Sequence, residues 1–431
     1  MQTHDTGQQI YDLLSELFPI NRSLTGQGVR DTLTRLQELI PINIHSVESG
    51  TTAFDWTTPP EWNVREAWIK NSQGEKIIDF EANNLHLMGY STPLDKTIPL
   101  SELRDNLHSL PEQPEAIPYI TSYYKERWGF CLSHDQLLNL ANGDYHVYID
   151  SDLSSGILNY ADLVIPGEST EEIMFSTYIC HPSMANNELS GPCLATYLAK
   201  WLMETPRKYT YRFVFVPETI GAVVYLSKHL EQLQKNVKAG YVLTCCGDDR
   251  CYSFVESRQG NTLADRAARS VLNSLHPDHL TYSFLQRGSD ERQYCAPGID
   301  LPIASVMRSK YGEYPEYHTS LDNLELVSPA GLQGAFDVYT SIIELLEFND
   351  YYKVNCLCEP QLGKHGLYPN LSTKDSAQAV RTLSNLIAYS DGERDLIQIA
   401  EKINVPAAQL YDTITKLISA DILTTTANVN R

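Results

Sequence analysis

Several features that would place this chain outside the cytosol are missing. No apolar run approaches about 18 residues, so no helical membrane span is expected. The first residues lack a basic segment followed by an apolar one, so no secretory signal is expected either. The nine cysteines follow no repeating spacing. Cys245 and Cys246 are adjacent, and the Cys356–Cys358 step is too short for a zinc ribbon. This usage argues against a disulfide scaffold and for reduced thiols in a cytoplasmic protein. Basic residues are scarce, 33 against 54 acidic, for a formal charge of −21. Such a balance opposes broad affinity for nucleic acid or anionic membranes. Internal repeats and low-complexity tracts are absent.

What is present is a chain of 431 residues, 42% apolar, long enough for two or three domains. Residues 8–17 and 29–39 have helical spacing, Pro41 closes the second helix, and residues 42–47 read as a strand. From about 51 to 150 the texture changes to short strand candidates (67–70, 76–80, 85–88, 119–124, 130–132, 144–150), with Asn71–Gly74 as a hairpin turn and no long helix. This block reads as a β-rich domain inserted into an α/β domain made of residues 1–50 and 151–350. A separate N-terminal β domain is the alternative. Strands at 172–180, 211–216, 240–245 and 303–307 then alternate with helices at 191–203, 220–233, 263–272 and 332–346. The run Phe213-Val-Phe-Val216 suits a strand buried on both faces. The fold class expected is α/β, a mostly parallel or mixed sheet flanked by helices. Residues 355–431 carry helical patterns at 377–388, 395–402 and 407–419 followed by a short strand, which suggests a winged helix-turn-helix. From residue 361 onward its charges balance. That favours protein contact, such as homo-oligomer formation, over reading DNA.

Four stretches carry candidate chemistry. In the first, an apolar strand ends at His181 and a polar loop closed by Gly191 follows, holding Asn187 and Glu188. A lone histidine there could be a satisfied core residue, but so many polar groups exceed what a packing turn needs, and metal ligation is the reading adopted. In the second, Glu218 follows the buried strand at the same sheet end, where dry surroundings would suit a general base. A carboxylate favouring the next helix start is the plainer reading. The third holds Asp290, Glu291 and Arg292, candidates to line a substrate cleft. The fourth, Tyr314-Pro-Glu-Tyr317-His318-Thr-Ser-Leu-Asp322, offers His318 as the natural metal partner of His181, with Tyr317 at the substrate. Neutral imidazoles with a carboxylate or amide oxygen and water would make a zinc site.

In this order the stretches resemble the co-catalytic zinc aminopeptidases. The motifs Cys-His-Pro-Ser, Asn-x-x-Leu-Ser-Gly, Asp-Glu-Arg-Gln and Glu-Tyr-His-Thr-Ser resemble, more closely, a bacterial aminopeptidase-like family described as a domain of unknown function, often found near surface-polysaccharide biosynthesis. The resemblance covers essentially the whole chain. It implies an aminopeptidase-like α/β domain, an inserted β-rich domain and a C-terminal winged helix. Carried over, His181 and His318 match the first and last histidine ligands, and Asn187 falls on the bridging aspartate. Glu218 falls on the general base, Thr219 on a glutamate ligand, and Thr244 or Cys245 near the remaining aspartate. Three expected carboxylates are thus amide, hydroxyl or thiol. A neutral Asn oxygen cannot offset two dications about 3.5 Å apart. The expectation is one zinc on His181 and His318, with Asn187 or Glu188 and Glu291 as further donors. The resulting hydrolase would attack an amide of a peptide or amino-bearing small molecule. The alternative is a catalytically inactive binding protein.

Overall fold

The structure is a computed structural model that describes residues 6–367 and 374–426. The chain divides into two compact units, residues 1–264 with 280–337 and residues 265–279 with 338–431.

An eight-stranded mixed sheet forms the first unit. Its spatial order is Asn43–Glu48, Ile157–Ile165, Thr210–Val216, Glu172–Tyr178, Val237–Val242, Ile303–Met307, Ser253–Val255, Leu280–Tyr282. The four central strands run parallel, and the outer pairings include three antiparallel ones. Every residue of Glu172–Tyr178 is buried, as expected of a central strand covered on both faces. Phe175 stacks on Phe213 and Tyr241, with ring centroids 5.2 and 5.9 Å away. Fully burying one such ring contributes about 1.5–3 kcal/mol. Because the central strands are parallel, their carboxyl ends face one side, and the loops after Tyr178, Val216 and Met307 gather there.

Residues 52–154 carry a four-stranded antiparallel sheet, Lys76–Asp79, Glu61–Lys70, Asp144–Ser154 and Leu94–Pro99. Their longest helix is His134–Leu138, closed by a capping box from Ser133 and Gln136. This sheet has no core of its own. Ala67, Ile69 and Ile149 belong to one buried cluster with Tyr160, Val214 and Val216 of the large sheet. Two expected strands are corrected. Residues 84–86 form a 3₁₀ turn, because the Asn83 side chain accepts the Leu85 N–H and tightens the chain. Residues 119–124 form no strand; this stretch makes one isolated bridge, Gly89 to Thr121, and the preceding Pro118 another, to Thr319. The strand Ile157–Ile165 was not anticipated at all.

In the second unit the helices Lys374–Tyr389, Leu396–Ile403 and Tyr411–Ser419 accompany a three-stranded antiparallel sheet, Asp391–Asp395, Tyr351–Val354, Leu423–Thr426. Asp395 and Gln398 form a capping box at the start of the second helix, and Asn404, at φ 53°, ends it before Pro406. Three helices with a small sheet make a winged helix-turn-helix. Residues 368–373 and 427–431 of the segment expected to fold this way lie outside the described residues. Among the described residues, no helix is long and apolar enough to cross a membrane.

Candidate active site

The strand Glu172–Tyr178 delivers its chain into a loop at His181, and a π-helical turn, Ala185–Leu189, leads into the helix Ser190–Leu202. Such turns recur at functional sites because they displace side chains from regular helical positions. Gly191 is needed where this helix begins: a Cβ there would lie 2.2 Å from the Leu243 carbonyl and 2.4 Å from Thr177 Oγ1. The turn is held from below by Asp322. Its carboxylate accepts the backbone N–H of Asn186 at 2.6 Å and of Asn187 at 3.0 Å, and the Tyr314 hydroxyl at 2.8 Å. Burial raises the Asp322 pKa to about 6 against these three donors. One carboxylate thereby ties the His181 loop to the His318 loop.

The two histidines meet. Their ring centroids are 5.3 Å apart, close enough to share one ion at metal–nitrogen bonds of about 2 Å. His181 Nδ1 lies 2.6 Å from Glu188 Oε2, while His181 Nε2 faces Glu218 Oε2 at 3.6 Å, beyond hydrogen-bond range. An imidazole held through Nδ1 by a carboxylate presents its other nitrogen in a fixed direction. Burial opposes a charge on His181, but Cys180 and Glu188 outweigh it and its pKa rises well above the ordinary value. The Cys180 thiol is itself pushed up to about 12 by burial, so Glu188 is the partner that counts at neutral pH. Behind Glu188 stands Arg22, fully buried, with Nε 3.7 Å from Glu188 Oε1 and donating to the His181 carbonyl at 3.1 Å.

His318 is the opposite case. Burial, then the neighbouring His181, lowers its pKa to about 3, so the ring is neutral. Its Nε2 is buried and has no hydrogen-bond partner, and the same holds for Asn187 Oδ1. Unpartnered buried acceptors are costly, and a cation is one thing that satisfies them. The donor set fits a single ion. The atoms in place of the missing carboxylates are spoken for: Thr219 Oγ1 accepts from Arg292 at 2.6 Å, and Thr244 Oγ1 lies 2.5 Å from Tyr178 Oη. Burial pushes the Cys245 thiol up to about 12, so it is neutral in the metal-free site. Cys180, His181 and Glu188 also sit close together, but a 2.6 Å hydrogen bond between His181 and Glu188 leaves no room for an ion between them.

Glu218 follows the strand Thr210–Val216, and burial raises its pKa despite His181 and Arg292 nearby. Asp290 and Glu291 are fully buried and face inward. Asp290 Oδ1 accepts the Thr219 N–H at 2.7 Å, and Glu291 Oε1 accepts from Gly288 N, Ser289 N and Tyr311 Oη. Arg292, by contrast, lies at the surface of the site, 4.0 Å from Glu218 Oε1. Tyr317 stacks on His318 with centroids 3.9 Å apart.

Strain is concentrated here. Ser183, Thr219, Cys245 and His318 all have positive φ without being glycine. For the β-branched Thr219, at φ 65°, this is a genuine outlier, of the kind that persists where surrounding structure imposes it.

Residues from the 51–150 block complete the site, and sequence reasoning did not single them out. Tyr119 lies 5.2 Å from both histidine rings, and its hydroxyl is 2.7 Å from that of Tyr123. The Tyr119 N–H donates to the His318 carbonyl at 2.9 Å, and Ser320 N to the Ile117 carbonyl at 2.8 Å. Beyond Tyr123 opens a cavity of about 370 Å³ that reaches Glu218 and Arg292.

Residues 11–349 match the family described as domain of unknown function (DUF4910), and residues 350–425 match a winged helix-turn-helix family. A Clostridium acetobutylicum protein, named provisionally as a polysaccharide biosynthesis protein with an aminopeptidase-like domain, is 46% identical over 92% of each chain. A crystal structure from Clostridium acetobutylicum, provisionally called a peptidase, superposes with a TM-score of 0.93 at 42% identity over 98% of this chain and 97% of that one. The zinc aminopeptidase from Bacillus subtilis is similar in fold alone, with a TM-score of 0.58 at 13% identity over 78% of this chain and 94% of that one. The chain belongs to the DUF4910 family, an aminopeptidase-like α/β fold followed here by a winged helix-turn-helix.

Proposed function

We propose that this protein is a metal-dependent amide hydrolase of aminopeptidase type, acting on a peptide or an amino-sugar-like substrate. The observation that carries the reading is the convergence of His181 and His318 beside Glu218. His181 and His318, with Asn187 Oδ1, would hold one zinc ion. Zinc bound there supplies a polarised carbonyl and an acidified water. Glu218, on the cavity wall, takes the proton of the attacking water and returns it to the leaving nitrogen. Glu188 and Arg22 orient His181, and Tyr119 packs both imidazoles in place. Tyr317 and Arg292 contact substrate, while Asp290 holds the strained Thr219 backbone and Glu291 braces the loop before it.

Two measurements test this. Purified protein is expected to carry zinc and to lose thermal stability in chelator. At least one amide among aminoacyl-coumarins, their N-acetylated forms and N-acylated amines is expected to be cleaved at a rate lost in Glu218→Gln; no cleavage of any amide by zinc-loaded protein contradicts the reading. The replacement of three carboxylates by Asn187, Thr219 and Thr244 or Cys245 favours a second reading, a non-catalytic protein that binds the same ligand in the same cleft. The winged helix, with its balanced charge, is assigned to protein contact within a cytoplasmic homo-oligomer.

A further inference from the structure

We propose that the cavity beside Glu218 selects an N-acylated substrate bearing one ring and a carboxylate, not a free ammonium group. The inference rests on the hydrolase reading and extends it to substrate class.

The cavity, about 370 Å³, is of a size for one ring-bearing residue or one monosaccharide. Trp56, from the small hairpin Thr52–Ala53 and Trp56–Thr57, and Tyr124 line its wall. Both rings remain in solvent, 37% and 57% exposed, with centroids 6.4 Å apart and planes inclined by 60°. Large aromatic faces left open at a cavity are recognition surfaces for a flat or apolar ring face. Arg292 also lines the cavity. Its Nε donates to the Ser289 carbonyl at 3.1 Å and its Nη2 to Thr219 Oγ1 at 2.6 Å, which pins the guanidinium and leaves Nη1 without a partner.

The charges decide the ligand. Among the cavity's lining residues, Arg292 is the one cation and Glu218 the one anion. An ammonium group needs an acidic seat. Asp290 and Glu291 are fully buried and do not line the cavity, each with one oxygen bonded to backbone N–H groups, and Glu218 is assigned to the water. A free amine in this cavity would meet Arg292 at close range, whereas a carboxylate would gain a charge-assisted hydrogen bond. The reaction consumes one water. A C–O bond forms at the acyl carbon, the C–N bond breaks, and Glu218 carries the water's proton to nitrogen. The products are the acyl group's carboxylic acid and the ring-bearing amine.

The test uses full-length, zinc-supplemented protein and isothermal titration. N-acetyl-phenylalanine and N-acetylmuramic acid are the two ring probes. N-acetyl-phenylalanine amide lacks the carboxylate, and phenylalanine amide carries a free ammonium. At least one acetylated carboxylate is expected to bind about tenfold or more tightly than both amides, in line with one charge-assisted contact. Which of the two binds tells an aromatic side chain from a pyranose. Arg292→Gln is expected to erase the preference, and Trp56→Ala, a surface change that spares the fold, to weaken the preferred probe. Tighter binding of phenylalanine amide, an unchanged preference in Arg292→Gln, or no binding of either carboxylate would overturn the proposal. Acetate release is followed by NMR in the same samples. Selective binding without release supports the pocket while removing the hydrolase reading.

Discussion

The strand Glu172–Tyr178 carries a buried polar cluster at each end, and the two are built differently. At its start, Glu172 receives Arg212 through two bonds of 2.6 and 3.0 Å, and Arg212 also donates to Tyr225 Oη, which in turn donates to Asp162. Neither Arg212 nor Glu172 has a buried side-chain atom left without a partner. Beyond its end, His318 Nε2, Asn187 Oδ1, Glu188 Oε1 and Asp290 Oδ2 are buried with no hydrogen-bond partner, beside positive-φ residues Thr219 and His318. The closed cluster satisfies its own polar groups, whereas the open one leaves acceptors that the proposed metal and substrate would satisfy. Unpartnered atoms also occur singly elsewhere, at Thr58, Arg207 and Ser305, so it is their clustering around His318 that marks the site.

Substitutions separate the two ends. Arg212→Ala strands the buried Glu172 carboxylate and is expected to cost about 3–5 kcal/mol of stability in denaturant titration. A loss below 1 kcal/mol would break the comparison at its stable end. Asp322→Ala, which leaves the N–H groups of Asn186 and Asn187 unpaired, is expected to cost about 2–3 kcal/mol and to weaken zinc binding as the two loops part. Unchanged zinc affinity would detach Asp322 from the site.

Glu61 offers an intermediate case, with Arg30 at 2.7 Å and the Ile157 N–H at 2.9 Å. Burial works against its charge, but Arg30, the Ile157 amide and Asn63 outweigh it and hold its pKa below 4.5. A depressed folded pKa contributes stability that is present above the unfolded value and lost as pH falls through the folded one. Glu61→Gln is thus expected to cost about 1 kcal/mol at neutral pH. The gap in melting temperature should narrow only on acidification below the ordinary carboxylate range. A gap that persists at pH 2 would assign the loss to shape instead of charge.

The smallest effect is expected at the open end. Asn187→Leu removes an unpartnered oxygen together with the hydrogen bond from Nδ2 to Tyr178 Oη at 3.0 Å, and should cost about 0.5–1 kcal/mol. It should nonetheless lower zinc affinity, because a function-bearing group need not stabilise the fold.

Two parts of this site, His181 and Glu218, were visible in the sequence because they follow strand ends, and a polar residue just past a buried strand has few places to go. The Asp290–Arg292 and Tyr314–Asp322 stretches were visible only as clusters of polar and charged residues in loops. The α/β rhythm and the winged helix were legible for the same reason, since periodicity and turn residues act locally. Trp56, Tyr119 and Tyr123 were not legible as site residues. They lie in irregular chain with no period, and what places Tyr119 is a backbone bond to His318, far away in sequence. Arg22 sits in the loop before the second helix, where nothing in its neighbours signals a fully buried guanidinium. The inward turn of Asp290 and Glu291 was equally hidden. Spacing puts a carboxylate near a cleft, but only the surrounding N–H donors decide which way it faces.

The proposed function depends on two imidazoles sharing a cation. The direct measurement is zinc stoichiometry by elemental analysis of dialysed wild-type protein beside His318→Asn, a residue that tolerates the left-handed backbone there. The account predicts about one zinc per chain in the wild type and none retained by the variant, with both proteins folded. Equal zinc in the two proteins, or none in the wild type after zinc loading, would contradict it.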